Sequence, residues 1–362
     1  MSLTLAISLL GWLALLSATH IGTPLQAGKQ AIFLIIGFLL AWSISWYDYR
    51  KLYRWAYAPY FISLLLLLAI FAVGVTRNGS RRWLDLGFML LQPSEVAKLA
   101  LVIALSRVLA AACHSWEQPK RPYLLSIKAL CVAGLPTVLI AAQPDLGTSL
   151  VLVAIVYLLL YCFGGSLVLL FGSVASVLGG APWYLQDYQM QRISTFLDPD
   201  SDPLGVGYNL AQAKAAIGSG GTWGLGLFHG PLTQSHFVPE NETDFIFTVI
   251  GEELGLIGTM GLITLFFALL IAILNTAALC RDRFGACICM GVACILTFQI
   301  VVNIAMTLGL APVVGLPLPL CSYGGSTTLT TMISIGLIAS VARARGRSET
   351  SYQHASGLQG KK

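Results

Sequence analysis

Apolar residues fall in long runs along this chain, and the runs set the picture before any single residue does. A helix needs about 20 mostly apolar residues to cross a bilayer. Ten stretches approach that length: Leu3–Thr19, Ala31–Trp46, Trp55–Thr76, Val96–Ala112, Leu124–Ala142, Thr148–Phe163, Leu167–Gly180, Phe245–Leu279, Gly285–Leu308 and Thr327–Val341. The sixth and seventh are short and divided only by Gly164-Gly165, while the eighth is long enough to tilt or to lie partly in the interface. The pattern predicts an all-α polytopic membrane protein with about ten transmembrane helices. It makes one transmembrane domain over 1–343, followed by a polar tail over 344–362 that reads as disordered.

The polar connections set the expected orientation. Alternate ones carry Arg50, Lys51 and Arg54, then Lys120 and Arg121, then Arg281 and Arg283, then the basic tail. Lys and Arg near span ends stay on the cytoplasmic side. Both termini are therefore expected inside, and Arg77–Glu95, Gln143–Gly147, Ala181–Asp244 and Gly309–Ser326 outside. The loop over 181–244, between the seventh and eighth spans, is far longer than an idle connection in a compact protein. Loops held on a rigid scaffold are where function concentrates. No basic stretch precedes Leu3 and further spans follow, so the first run is expected to be retained rather than cleaved.

Composition agrees with lipid as the main solvent: 56% of the 362 residues are hydrophobic and only 10% charged, against roughly 25% charged in a soluble domain. The net charge of +5 does not point to nucleic acid, since Arg343, Arg345, Arg347, Lys361 and Lys362 gather in the tail. Most of the eight cysteines lie in or beside apolar runs, where a thiol behaves as a small hydrophobe. Cys287 and Cys289 lack His or Cys partners at zinc-site spacing.

Four polar clusters carry the candidate chemistry. Arg81 and Arg82 precede Gln92-Pro93-Ser94-Glu95, and Glu95 shares a helix face with Lys98. These residues make either an internal ion pair with an amphipathic re-entrant segment or a polar cavity for an anionic headgroup. Guanidinium recognises phosphate bidentately, which favours the second. In Gln143-Pro144-Asp145-Leu146-Gly147, Asp145 either caps the next helix or faces that cavity. The long loop alternates Asp198, Asp200 and Asp202, but Pro203 stands where a calcium loop needs its glycine and Asn209 where it needs its Glu. Lys214 and Gly218-Ser219-Gly220-Gly221 follow, and the glycines let backbone approach a ligand. Last, Glu240, Glu242 and Asp244 crowd three carboxylates at the start of the eighth span. Repulsion and partial burial would raise at least one pKa, as a general base requires, although Asp244 could equally cap the helix.

Together with Gly315-Leu316-Pro317-Leu318-Pro319-Leu320-Cys321-Ser322-Tyr323-Gly324-Gly325-Ser326, these blocks resemble the SEDS family (shape, elongation, division and sporulation) from about Arg77 to Val341. The chain is more similar to the elongation branch than to the division branch in Gln143–Gly147, in Asp202-Pro203-Leu204-Gly205, and in Lys214 ahead of Ile217. Glu242 stands where many members carry His, so the implied chemistry is built on Asp244.

The resemblance implies a peptidoglycan glycosyltransferase of the bacterial cytoplasmic membrane that polymerises lipid II on its outer face during elongation. Asp244 would be the base. Arg81, Arg82 and Lys98, oriented by Glu95, would meet the leaving diphosphate, with Asp145, Lys214 and Ser322 as further substrate-binding residues. It also implies a lipid-linked nascent glycan, surrounding membrane lipid, a class B penicillin-binding protein as transpeptidase, and the elongation machinery; the diphosphate could carry a divalent cation (Mg or Mn), but no dedicated metal cage is visible in the sequence. The rival function is a lipid II flippase, but that needs polar residues deep in several spans. Here they concentrate in the outward segments, and Arg107 and Lys128 lie near inner ends. A scaffold that only recruits partners would leave the four polar blocks unexplained.

Overall fold

The computed structural model describes residues 1–21, 23–77, 80–112, 119–174, 187–198, 205–235 and 237–359. Its helices are α1 (Ser2–Thr19), α2 (Pro24–Trp46), α3 (Arg50–Trp55), α4 (Tyr57–Val73), α5 (Pro93–Ala112), α6 (Pro122–Ala142) and α7 (Leu146–Cys162). After them come α8 (described over 167–174), α9 (Asp187–Leu197), α10 (Val206–Ser219), α11 (Pro231–Gln234), α12 (Ile246–Ala278), α13 (Arg283–Thr307) and α14 (Gly325–Gln359). Prolines at the first helical turn open α2, α6 and α11, where a missing N–H costs nothing. Side-chain caps from Asp145 and Asp282 open α7 and α13.

Among the described residues, α1, α2, α6, α12, α13 and the first part of α14 (Gly325–Ala344) are long and apolar enough to cross a membrane. Helices α4 and α7 are apolar but shorter, and α5 carries Glu95, Lys98 and Arg107. Of the seventh predicted run, 175–180 lie outside the described residues, as do 181–186 and 199–204 of the long loop, with Asp200, Asp202, Pro203 and Leu204. Leu25, Leu65, Val138 and Phe267 are more than half exposed on α2, α4, α6 and α12. An apolar surface on that scale suits lipid rather than water. The interior centres on α5 and α13, where Leu101, Val102 and Ala104 of one and Cys287, Ile288 and Val292 of the other are all buried.

Two features depart from the sequence reading. The all-α expectation misses a small antiparallel sheet, β1 (Val75–Arg77), β2 (Ser80–Asp85) and β3 (Leu90–Leu91), in order β1-β2-β3. Val75 pairs with Trp83 and Leu84 with Leu91, and Gly87, at φ 83°, turns the chain between β2 and β3. Second, the 33-residue α12 would be ~50 Å long if straight, against a hydrocarbon core of ~30 Å. It breaks at Gly255 (φ 64°, ψ −161°). The segment 221–226 docks into the break: Leu225 and Gly226 donate to the carbonyls of Glu252 and Glu253 at 3.0 and 2.9 Å, while Leu256 and Ile257 donate to Gly221 and Thr222. A helix break at membrane depth survives only when its freed backbone groups find such partners. A Cβ on Gly224 would strike the Glu253 carbonyl, and one on Gly255 the amide of Gly224. The glycine-rich stretch therefore serves close approach of backbone to backbone.

A candidate active site at one end of the bundle

Hydrogen bonds bring three of the four polar clusters, those of Arg82, Asp145 and Asp244, to one end of the bundle. The β2 strand places Arg82 beside the α6–α7 turn. There Nε donates to the Gln143 carbonyl at 3.2 Å, Nη2 donates to the Pro144 carbonyl, and Nη1 lies 3.8 Å from Asp145 Oδ1. Asp145 also does what its bland reading asks, accepting from Thr148 N at 3.1 Å and Thr148 Oγ1 at 2.9 Å to cap α7. Gln92 reaches the same carboxylate at 3.4 Å. Its backbone N–H donates to Ser326 Oγ at 3.0 Å, which joins the hairpin to the start of α14.

The loop before α14 then holds the segment that carries Asp244. Ser322 Oγ donates to the Thr243 carbonyl at 2.5 Å, and Tyr323 N to the Glu242 carbonyl at 2.8 Å. Asn303, buried on α13, donates through Nδ2 to the carbonyls of both Asp244 (2.8 Å) and Leu316 (2.7 Å). Gln30 on α2 grips the other side, donating to the Ser322 carbonyl and to Thr328 Oγ1. Asp244 is thus fixed by its backbone while its carboxyl is left open: among the described residues no donor is hydrogen-bonded to it.

Beside it lies a narrow cleft with apolar walls from Pro144, Leu146, Pro312 and Val314 and polar ones from Arg82, Gln189 and Arg192. Arg192 Nη1 donates to the Val313 carbonyl at 2.9 Å, tying α9 to the same loop. Gly315 (φ 72°) separates base and cation: a Cβ there would stand 3.3 Å from Asp244 Oδ2 and 3.9 Å from Arg192 Nη1. Burial pushes the Asp244 carboxyl up to about 6, and the negative charge of Glu240 adds to this. Arg192 and then Arg82 pull it back, and Asp145 makes a smaller upward contribution. The crowding expected from Glu242 comes instead from Glu240 and Asp145. The residue keeps some exposed surface, but protein atoms on every side limit its hydration.

The other predicted residues have partners of their own. Arg81 turns to the carboxyl end of α4 and donates to the carbonyls of Gly74, Phe71 and Ala72 at 2.6, 3.0 and 3.4 Å. Those carbonyls lack helical partners. Lys98 and Glu95 form a 2.7 Å ion pair with both side chains almost wholly buried. Lys214 lies against Gly309, just past the carboxyl end of α13. Two functional candidates escape the sequence reading. Arg192 is the sole Lys or Arg between Lys128 and Lys214, which could have marked it. Asn303 is an amide inside an apolar run, a placement that is costly without a purpose.

Comparison with known proteins agrees in length as well as in motif. The FTSW_RODA_SPOVE family model, described as "Cell cycle protein", matches residues 1–347. Peptidoglycan glycosyltransferase MrdB of Escherichia coli (strain K12) is 42% identical over 292 residues, covering 79% of this chain and 77% of that one. Stage V sporulation protein E of Bacillus subtilis (strain 168) is 34% identical over 328 residues, covering 88% and 87%. Among solved structures, a chain of a peptidoglycan synthase complex that coordinates polymerization and crosslinking superposes with a TM-score of 0.81 at 34% identity, covering 95% and 96%. A mutant of Thermus thermophilus rod shape determining protein RodA gives 0.72 at 30% identity, with the same coverage. With the model matched over nearly its whole length and relatives this similar, the chain belongs to the FtsW/RodA/SpoVE family, the SEDS proteins.

Proposed function

We propose that this protein is a peptidoglycan glycosyltransferase that polymerises lipid II at the outer face of the bacterial cytoplasmic membrane, with Asp244 as general base. The observation that carries the assignment is a carboxylate without hydrogen-bond donors, its pKa raised to about 6, beside a cavity walled by guanidinium groups. A base works best with a pKa near the working pH. At neutral pH this one is mostly ionised and still basic.

In the proposed step, the 4-hydroxyl of the acceptor sugar attacks the anomeric carbon of the lipid-linked donor. Asp244 takes the hydroxyl proton as the new C–O bond forms. The bond from the anomeric carbon to the diphosphate oxygen breaks, and the lipid diphosphate leaves with the electron pair. A single in-line displacement inverts the anomeric centre and needs the base on the face opposite the leaving group. Arg82 stabilises charge on the departing diphosphate, the kind of electrostatic contribution that is usually largest. Asp145 aims Arg82, and Asn303 and Ser322 fix the backbone that carries the base.

The Glu95–Lys98 pair and Arg81 support the frame around the site, at the head of α5 and the foot of the hairpin. Lys214, on α10 beside the carboxyl end of α13, offers a cation to substrate further out. Among the described residues no three His, Cys, Asp or Glu side chains gather to hold an ion. A Mg or Mn arriving with the substrate would be held by diphosphate oxygens.

A class B penicillin-binding protein is the proposed partner, in keeping with the synthase complex to which the fold is similar. The test is polymerisation of labelled lipid II by the purified protein, alone and with that partner, for wild type and Asp244→Asn. Wild type should form polymer and the variant should not. Equal polymer from both would remove Asp244 from the reaction, and lipid translocation without polymer would favour a flippase.

A further inference from the structure

The proposed reaction assigns the leaving diphosphate to Arg82 alone among the cavity's cations, yet a second guanidinium stands on the same wall. Arg192 reaches it from α9, an element distant in sequence from the hairpin that carries Arg82. Neither group is placed at random. Arg82 is held by two carbonyls and Asp145, and Arg192 by the Val313 carbonyl. The apolar Pro144, Leu146, Pro312 and Val314 complete the wall. Such a surface, with few carboxylates and two fixed planar cations, suits an anion with several oxygens held in one orientation.

The charges point the same way. Asp244 lies against Arg192 across Gly315 and also feels Arg82, while Glu240 and Asp145 oppose both. In the resting site, Arg82 and Arg192 face the carboxylates Asp145, Glu240 and Asp244. When Asp244 accepts the proton, one of those negative charges disappears from beside Arg192. At that moment the broken C–O bond places an added negative charge on the diphosphate. A guanidinium shared between base and leaving group therefore loses one counter-charge as it gains another.

We propose that Arg192 contacts substrate, gripping the diphosphate of the lipid-linked donor together with Arg82 on the cavity wall beside Asp244. The assignment rests on the glycosyltransferase reading and adds a residue to it. It also gives Arg192 a second task, keeping Asp244 ionised until the hydroxyl arrives.

The test uses full-length purified protein. In an Asp244→Asn background, which binds without turning over, affinity for undecaprenyl diphosphate and for undecaprenol is measured with Arg192 as Arg, Lys or Gln. Loss of one charge-assisted contact should weaken diphosphate binding roughly ten- to a hundredfold for Gln, with Lys intermediate and undecaprenol binding unchanged. With Asp244 intact, Arg192→Gln should move the acid limb of the kcat/KM profile to higher pH, because the cation that favours the carboxylate is gone. A merely structural Arg192 would alter thermal stability but neither the diphosphate selectivity nor the acid limb. If Asp244→Asn is inactive while Arg192→Gln keeps both at their parental values, the inference about Arg192 is overturned and the reaction assignment stands. If Asp244→Asn polymerises normally, the reaction assignment itself has failed.

Discussion

Asp244 and Glu252 are eight residues apart at the head of α12, and the fold treats them in opposite ways. Glu252 is fully buried, and its carboxylate is filled. Oε1 accepts from Leu232 N at 2.8 Å, and Oε2 from Thr233 N at 2.8 Å and Thr233 Oγ1 at 2.5 Å, which caps the short α11. Asp244 keeps part of its surface open and, among the described residues, receives no such donor. Burial without hydrogen bonds to the charged form raises a carboxyl's basicity, as it does for Asp244. One helix start thus carries a structural acid and a reactive one, and the filling of lone pairs separates them.

Exchanging the charge at each site gives the sharpest contrast. Asp244→Asn should lower turnover of lipid II by about 10²–10⁴-fold, the usual range for losing general-base help. Glu252→Gln should leave the rate per folded molecule close to wild type, as measured by active-site-normalised polymerisation. A large catalytic loss from Glu252→Gln would erase the distinction.

Stability should respond in the reverse sense. Glu252→Ala strands buried donors at about 1–3 kcal/mol each, visible as a lower melting temperature in detergent. Asp244 has a folded pKa of about 6 against an ordinary 3.8. The fold therefore favours its protonated form, and this contribution to stability is full below about pH 4 and lost as pH rises through about 6. Asp244→Asn should accordingly raise the melting temperature at pH 7, with the gain vanishing near pH 4.

Smaller effects refine the picture. Gly315→Ala forces a side chain into the left-handed region, a strain of ~1–2 kcal/mol. It also puts a methyl group between Asp244 and Arg192, so its rate should fall severalfold while Glu252→Gln, measured beside it, does not. Arg81→Gln removes a cation from the carboxyl end of α4 and should cost about 0.3–1 kcal/mol, with polymerisation unchanged.

The helical, membrane-suited character of the chain is legible because a run of apolar residues has few other physical meanings: six helices are long and apolar enough to cross a bilayer among the described residues, and several helix starts agree with prolines and capping aspartates visible in the sequence. The hairpin is not. In Ser80-Arg81-Arg82-Trp83-Leu84-Asp85, three polar residues are followed by two apolar ones and a last polar one, so the period of two that signals a strand is missing. The break in α12 was foreshadowed only by its length. Gly255 is one glycine in a run that also holds Gly251, Gly258 and Gly261, and what singles it out is the docked segment 221–226.

Within the site, Asp244, Arg82 and Asp145 are local in the sequence and were readable as polar clusters. Arg192 and Asn303 become neighbours of Asp244 only through the packing of α9 and α13, which no local pattern encodes. The roles of Arg81 and Lys98 could not be read from residue type, since a guanidinium may face a phosphate or cap a helix. The fold decides that by where the next carbonyl lies.

The most direct test of the account is the pH dependence of kcat/KM for polymerisation of labelled lipid II by the purified wild-type protein, set beside the residual activity of Asp244→Asn. The account predicts a rate that climbs through an inflection near pH 6, where the Asp244 carboxyl loses its proton, and then levels off, with that limb absent from the variant. A wild-type profile flat through that region, or an Asn variant that keeps the same limb at full rate, would contradict it.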